Sequence, residues 1–291
     1  MDIGNFLSEP LSYVFIQRGL LALVIVGGIS AVVGCFVVVR GMAFFGDALS
    51  HAILPGVALS YTASGGNIAG NLFLGGLSAG IVSALVIAWL TRNQELKEDS
   101  AIAIVFVTMF ALGIAIISTQ SSYAVDLTHI LFGSINGISQ EDLLTMAALA
   151  ATVLLAVLLL YKEFLLVSFD LSLAHSLKLP VQLLKILLLV LIAVTIVASL
   201  QAVGVALMLA LLITPAATAR LLVKRLHQMI VIASLIGIFS GVVGFYVSYY
   251  LDIPSGACIV LTLSAIFGVV IALQTGLAQL RERGALQVGR G

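Results

Sequence analysis

Asp47 and His51 lie four residues apart in an apolar stretch, 44–63, that is long enough to cross a membrane. On a helix this spacing places both side chains on one face, within reach of a common point. A carboxylate and an imidazole together suit a divalent transition metal such as manganese, iron or zinc, although ligand type alone selects none of these. An ionised side chain at membrane depth is unfavourable unless it faces a cavity, a partner or an ion. The spacing therefore predicts that Asp47 and His51 are metal ligands.

Two other interpretations of this pair stay open at the level of sequence. Asp47 and His51 could form an internal salt bridge, or Asp47 could lie at the membrane interface, where water reaches it. The same stretch contains Pro55, which has no N–H to donate to the carbonyl of His51. We therefore expect the helix to bend there.

The composition is typical of a protein that crosses a membrane several times. Of the 291 residues, 62% are apolar and 9% are charged, whereas a soluble domain has about 25% charged residues. The 13 basic and 13 acidic residues balance, so the total charge says nothing about partners. We expect contact with membrane lipid and no nucleic-acid partner. Cys35 and Cys258 lie in apolar runs and are predicted to be small buried side chains.

Helices need roughly 20 apolar residues to cross the hydrocarbon, and by this measure the sequence predicts about nine spans. The segment 186–219 is too long for one helix and long enough for two short ones, broken near Gln201 and Gly204. We expect a turn at 64–67, a polar segment at 119–142 and a single all-α transmembrane domain over 1–291. The predicted spans are 19–39, 44–63, 71–90, 101–118, 143–161, the two halves of 186–219, 228–251 and 257–277.

Lysine and arginine favour the cytoplasmic loops of membrane proteins, so their placement predicts the orientation. If the first span enters from outside, Arg18 alone of the 13 basic residues faces out. The segments 92–99, 162–185 and 220–227 then face the cytosol. The external side carries acidic residues that would attract cations or a basic docking partner, or that form a solvated polar edge: Asp2, Glu9, Asp126, Glu141, Asp142 and Asp252.

The cytosolic segment 162–185 contains a candidate short amphipathic helix. Asp170 or Ser168 could cap its N-terminus, and Pro180 would end it. Its apolar side would consist of Phe169, Leu173 and Leu177. Such a helix could lie on the lipid headgroups or fit a groove in another protein.

Five segments of the chain carry a family resemblance: FFGDALSHAILPG (44–56), HILFGSINGIS (129–139), FDLSLAHSLKLPV (169–181), AVGVALMLALLITPAATARLL (202–222) and YYLDIPSGACIVL (249–261). In combination they resemble the membrane permease subunits of ATP-binding-cassette importers for zinc, manganese and iron. The resemblance implies a type II importer-like helical bundle in the cytoplasmic membrane of a prokaryote. The sequence departs from the family pattern at Ser172, where an acid is usual, and at Lys178, where a small residue, often glycine, is usual.

The resemblance also implies how the residues act. Asp47 and His51 would line the translocation path as transient ligands of a divalent metal cargo, with no permanently bound cofactor. The segment 169–181 would be the coupling helix that enters the cleft of the ATPase. Its expected contact residues are Phe169, Asp170, Leu173, Ala174, Leu177 and Pro180.

The implied partners are two cytosolic ATPase subunits, a second permease copy, as a homodimer or pseudo-symmetric pair, and an extracytoplasmic metal-binding protein. The chain contains no Gly-x-x-x-x-Gly-Lys-Ser/Thr loop, so we expect ATP hydrolysis on a separate polypeptide and no enzymatic activity in this one.

Two other functions compete with an importer permease. A self-contained carrier, in which Asp47 exchanges protons for a cation, would be favoured by an inverted repeat, and no second half of the chain echoes GDALSHAILPG. An intramembrane metalloenzyme needs at least three protein ligands and a base, and the sequence has no His-Glu-x-x-His motif. The sequence therefore favours the permease.

Overall fold

A computed structural model of the chain describes residues 9–64, 71–92, 96–119 and 137–288, with side chains described as far as 276 except that of Asn71. The greater part of the turn predicted at 64–67, most of the polar segment 119–142 with Asp126 and His129, and the chain termini lie outside these residues. No β-strand occurs in the described ranges, so the predicted all-α class is confirmed.

The described ranges form eleven helices of six or more residues. In chain order they are α1 (Val14–Val39), α2 (Phe44–Ala52), α3 (Leu54–Ala63), α4 (Asn71–Leu90), α5 (Glu98–Ser118), α6 (Gln140–Leu159), α7 (Tyr161–Phe169), α8 (Leu171–Ser176), α9 (Val181–Leu222), α10 (Leu226–Leu251) and α11 (Ser255–Val288). Seven of the helices in these ranges are long and apolar enough to cross a membrane, namely α1, α4, α5, α6, α9, α10 and α11.

The 42 residues of α9 form two arms that meet at Gly204. Gly204 has φ 76° and ψ 172°, a backbone conformation that residues with a Cβ rarely adopt. Arms of 181–203 and 205–222 are about 35 and 27 Å long at about 1.5 Å per residue. The predicted break near Gln201 and Gly204 is therefore confirmed.

Hydrogen bonds show that α9 is a hairpin. Near its start, the Gln182 side chain donates to the carbonyl of Ala88 at the end of α4 (3.1 Å). Near its end, Arg220 donates to the carbonyl of Val38 at the end of α1 (3.0 Å). At its middle, Gln201 donates to Asp142 in the first turn of α6 (3.0 Å), at the opposite end of the bundle.

The stretch 44–63 is an interrupted crossing made of α2 and α3. The helix stops at Ala52, Ile53 forms a turn, and α3 begins at Leu54 with Pro55 in its first turn. The predicted bend is confirmed, because Pro55 provides no N–H for the carbonyl of His51. Within the described ranges, α9 counts as two crossings instead of one, and the α2–α3 crossing adds another. Together with the other six long helices this gives nine spans, the predicted number.

The centre of the bundle is the contact between α1 and α9. A Cβ built on Gly34 of α1 would lie 1.8 Å from the carbonyl oxygen of Leu212 on α9, so only glycine permits this backbone approach. Ser30 and Ser199 share a buried hydrogen bond between the same two helices (3.2 Å). Around this pair, α10 packs on α1 and α4 packs on the first arm of α9.

Charged groups separate to the two ends of the bundle as the sequence predicts. At one end Arg40 pairs with Glu98 and Arg220 caps α1, all of them residues of the predicted cytosolic set. At the other end Gln201 meets Asp142, and Glu9 lies close enough to Tyr249 to interact electrostatically. Which end faces the cytosol stays a prediction from the distribution of basic residues.

We expect Gly34→Ala to destabilise the folded protein, because its Cβ would overlap the Leu212 carbonyl and force α1 and α9 apart. Overpacking of this kind costs about 1–3 kcal/mol. Thermal unfolding in detergent measures the effect. The matched control is Gly28→Ala in the same helix, where the new Cβ would make an ordinary 3.7 Å contact with Ile238. Equal melting temperatures for the two variants would contradict the close approach.

Candidate metal pair and coupling segment

Asp47 and His51 both lie on α2, a helix of nine residues held between α5 and the second arm of α9. Gly46 faces α9 so closely that a Cβ there would lie 2.9 Å from Leu209 and from Leu212. Ser50, between the two candidate ligands, donates its hydroxyl to the carbonyls of the preceding turn. The helix therefore presents a tightly packed apolar side to α9 and the two ionisable side chains elsewhere.

The two candidate ligands approach each other without forming a hydrogen bond. His51 Nε2 lies 3.8 Å from Asp47 Oδ1, which exceeds the range of an N–H···O bond. Ligand atoms lie roughly 2.1 Å from a metal of this class, so two ligands of one ion can be up to about 4.2 Å apart. The observed separation suits two ligands of one ion better than a closed salt bridge.

Aromatic side chains of α5 hold the imidazole in place. The ring of His51 lies 6.0 Å from that of Phe106 and 5.7 Å from that of Phe110, edge-on in the second case. Phe44, two turns before His51 on α2, packs edge-on against Phe106. His51 Nδ1 is buried in this contact and has no hydrogen-bond partner in the described part of the chain. The ring therefore presents Nε2, its other nitrogen, toward Asp47.

The pair is open on one side and incomplete as a metal site within one chain. The side chains of Asp47 and His51 are 43% and 30% exposed. Among the described residues, no group of three or more His, Cys, Asp or Glu side chains is placed to hold a metal ion. Two protein ligands and an exposed face permit weak, reversible binding, and permanent structural sites normally have four ligands.

The second predicted site, the coupling segment, begins at Asp170. This residue is the N-cap of α8, and its carboxylate accepts a hydrogen bond from the backbone N–H of Leu173 (2.9 Å). Of the two predicted caps, the structure thus selects Asp170 rather than Ser168. Before it, α7 is anchored by Phe164, which is fully buried and packs edge-on against Phe36 of α1. Burial raises the pKa of Tyr161, at the start of α7, and a backbone hydrogen bond at His227 partly offsets this.

The end of α8 differs from the prediction that Pro180 terminates it. The helix ends at Ser176, and Lys178 adopts a left-handed conformation with φ 54°. Its N–H bonds to the carbonyl of His175 and that of Leu179 to Ala174, the pair of bonds of a Schellman motif. Pro180 is instead the N-cap residue of α9. A glycine at position 178 would adopt this conformation without strain.

The predicted contact residues divide into two groups. Phe169, Leu173 and Leu177 are large exposed apolar side chains, and Asp170 and Pro180 are exposed beside them. Ala174 is fully buried against the bundle, so its side chain fixes the position of α8. The exposed apolar strip is available to a partner or to lipid.

Comparisons with known proteins agree with this architecture. The family described as the ABC 3 transport family matches residues 12–274. MntC, a manganese transport system membrane protein of Halalkalibacterium halodurans, is 43% identical over 92% of this chain and 90% of its own. YfeD, a chelated iron transport system membrane protein of Yersinia pestis, is 38% identical over 96% of this chain and 92% of its own.

A solved structure of PsaBC from Streptococcus pneumoniae, in complex with Fab, superposes with a TM-score of 0.78 at 36% identity, over 92% of this chain and 95% of that one. Fold and sequence together define a polytopic, all-helical protein of a prokaryotic plasma membrane. The chain belongs to the ABC 3 transport family, which confirms the resemblance inferred from its motifs.

Sequence reasoning missed two groups of side chains near the metal pair. Phe106 and Phe110 lie four residues apart on α5, a spacing that places them on one face of the helix. This spacing could have identified them as an aromatic surface that packs against another helix. Arg40 and Glu98, which border two spans, pair across 58 residues of sequence. Nothing local in the sequence indicates that contact, since it depends on how α1 and α5 pack.

We expect Lys178→Gly to stabilise the end of α8, by about 0.5–1 kcal/mol, because it relieves the left-handed strain of a residue with a Cβ. Hydrogen exchange of the backbone amides in 171–179 should slow. The control is Lys178→Ala, which removes the charge and keeps the strain, and should give no such protection. Slower exchange in both variants would indicate a charge effect.

Proposed function

We propose that this chain is the membrane permease subunit of an ATP-driven importer of a divalent transition-metal ion, with manganese as the first candidate cargo. The observation that carries the proposal is the open Asp47–His51 pair at membrane depth, in a chain of the ABC 3 transport family. Because the pair is exposed and has only two protein ligands, it can replace part of the water shell of an ion and still release it.

The choice of manganese rests on relatives and on ligand chemistry. MntC is named as a manganese transport protein and YfeD as a chelated iron transport protein. Carboxylate oxygens suit manganese, while imidazole suits zinc and iron equally well. Transport assays should therefore compare manganese, iron and zinc.

We propose that a second copy of the chain covers the open side of the pair. An ionised Asp47 facing lipid would be strongly unfavourable, and its side chain is 43% exposed in the single chain. Phe44 on the same helix is also exposed. Two copies related by a twofold axis would provide two aspartates and two histidines around one path, and such isologous pairing is the commonest symmetry of homodimers.

ATP hydrolysis is assigned to separate cytosolic subunits, because this chain has no phosphate-binding loop of the required type. The exposed strip of Phe169, Leu173 and Leu177 is the proposed contact with them, within the single transmembrane domain. At the other end, the exposed Glu141 and the half-buried Asp142 belong to the acidic side that would attract cations or a basic extracytoplasmic metal-binding protein.

If Asp47 and His51 are paired metal ligands, Asp47→Ala and His51→Ala should each reduce metal uptake by at least about tenfold. Replacing even a residue that only supports a metal ligand typically lowers metal affinity by about 10–100-fold. The double variant should be little worse than either single variant, because losing one ligand already removes the site. Uptake and thermal stability of all four proteins are measured in the assembled transporter.

The salt-bridge interpretation gives the opposite pattern. Each single variant would then leave the other charge without its partner and lower the melting temperature, and the double variant would restore stability and transport. Such rescue would rule out the ligand role of the pair.

If α8 docks on an ATPase subunit, Leu173→Glu should lower metal-stimulated ATP hydrolysis, because a charge would be desolvated in the contact without a partner. The permease should still insert and fold, since Leu173 is exposed in the single chain. The matched control is Leu96→Glu, an exposed leucine in another predicted cytosolic segment. Unchanged hydrolysis in Leu173→Glu would mean that the strip rests on lipid.

A further inference from the structure

The two ring nitrogens of His51 have different surroundings. Nε2 lies 3.8 Å from Asp47 Oδ1, on the side of the candidate metal pair. Nδ1 is buried and has no hydrogen-bond partner among the described residues. The side chain as a whole is 30% exposed, and Nδ1 is not part of that exposed surface. Water therefore reaches the ring without reaching Nδ1.

Two phenylalanines of α5 form an aromatic wall against the imidazole. The ring of Phe106 lies 6.0 Å from that of His51, and the ring of Phe110 lies 5.7 Å from it at an angle of 79°. The two phenyl rings also stack on each other, 5.8 Å apart at an angle of 27°. Phe44 packs edge-on against Phe106 from α2. The wall is thus held from several sides, and its side chains contain no oxygen that could accept a hydrogen bond.

The chemistry of imidazole makes the surroundings of Nδ1 important for metal binding. A neutral imidazole carries one proton, so the nitrogen that binds a cation through its lone pair leaves the proton on the other nitrogen. Binding through Nε2 of His51 therefore requires an N–H at Nδ1. Histidines that bind metal almost always donate this second N–H to a carboxylate, a carbonyl or water, and loss of that partner typically lowers metal affinity by about 10–100-fold.

At His51 the aromatic wall stands where such an acceptor would be expected. The face of a phenyl ring accepts an N–H only weakly. The alternative form of the ring, with its proton on Nε2, directs that N–H toward the carboxylate of Asp47 and leaves no buried N–H. When a cation binds, it displaces the proton of Nε2 and Nδ1 takes up a proton in its place, so the ring stays neutral. Metal binding thus exchanges the favourable form of His51 for the unfavourable one.

We propose that Phe106 and Phe110 are positioning residues that lower the metal affinity of the Asp47–His51 pair, because they withhold a hydrogen-bond acceptor from His51 Nδ1. The inference rests on the proposed function and concerns how that site releases its cargo. A transport site has to bind an ion and let it go, and the aromatic wall supplies the second property. It does so without removing either ligand.

Variants that give Nδ1 an acceptor test this role. Phe106→Gln and Phe110→Gln each bring an amide carbonyl to the wall, whereas Phe106→Leu and Phe110→Leu keep the contact apolar. Leu112→Gln is the matched control, since it adds the same amide to α5 at an exposed residue two positions beyond Phe110, on another face of the helix. Each glutamine variant is also combined with His51→Ala.

Manganese affinity is measured on the assembled permease and ATPase in lipid nanodiscs without ATP, from the loss of the electron paramagnetic resonance signal of free Mn²⁺. At least one of the two wall glutamine variants should bind manganese about tenfold more tightly than the wild type, the low end of the effect of such a partner. The leucine variants should bind at or below the wild-type affinity, and Leu112→Gln at the wild-type affinity. In the His51→Ala background the glutamines should give no gain.

Three results would overturn the proposal. One is wild-type affinity in both wall glutamine variants at an unchanged melting temperature. Another is an equal gain in the leucine variants, which would indicate a loosened wall rather than a new acceptor. The third is a gain that persists without His51, since the amide would then bind the metal itself.

ATP-driven manganese uptake by the wild-type complex is measured in parallel. If the wild type neither binds nor imports the metal, the proposed function is contradicted. If the wild type imports manganese and neither glutamine variant gains affinity, the role of the wall alone is contradicted, and the proposed function stands.

Discussion

The absence of water inside a bilayer is the constraint on which this structure depends. Every backbone N–H and carbonyl at membrane depth needs a partner within the protein, which leaves helices as the available element for a chain of this composition. Buried serine and threonine hydroxyls follow the same rule, since Ser83, Thr195 and Ser240 each donate to a carbonyl of the preceding turn. In the described part of the chain, His51 Nδ1 at the candidate site is buried without a hydrogen-bond partner, as are Arg40 Nη1 and Ser168 Oγ elsewhere.

Within lipid the hydrophobic effect does not drive helices to associate, so close packing of their backbones has to hold them together. Gly34 against Leu212 and Gly27 against Gly237 provide this contact on two sides of α1. The central position of α1 has a functional consequence, because its C-terminus carries Arg40 and leads directly into α2. The helix that fixes the core therefore also positions the candidate Asp47–His51 pair.

Much of the fold could be predicted from the sequence because apolar length and charge placement act locally. The nine spans, the bend at Pro55 and the break at Gly204 all follow from chain chemistry within a few residues. The ending of α8 was predicted wrongly, since Pro180 is a strong helix breaker in sequence and a left-handed Lys178 is visible only in the backbone. The Phe106 and Phe110 wall and the Arg40–Glu98 pair depend on packing between distant helices, which no local pattern encodes.

The hairpin of α9 has a consequence for how the chain enters the membrane. Between Lys185 and Arg220 there is no charged residue, so nothing at the tip near Gly204 anchors it in the aqueous phase on the far side. Both arms should therefore insert together as one unit, with their basic ends retained on the side of synthesis. The tip gains its polar partner, Asp142, from α6, which precedes it in the chain and is already available during biosynthesis.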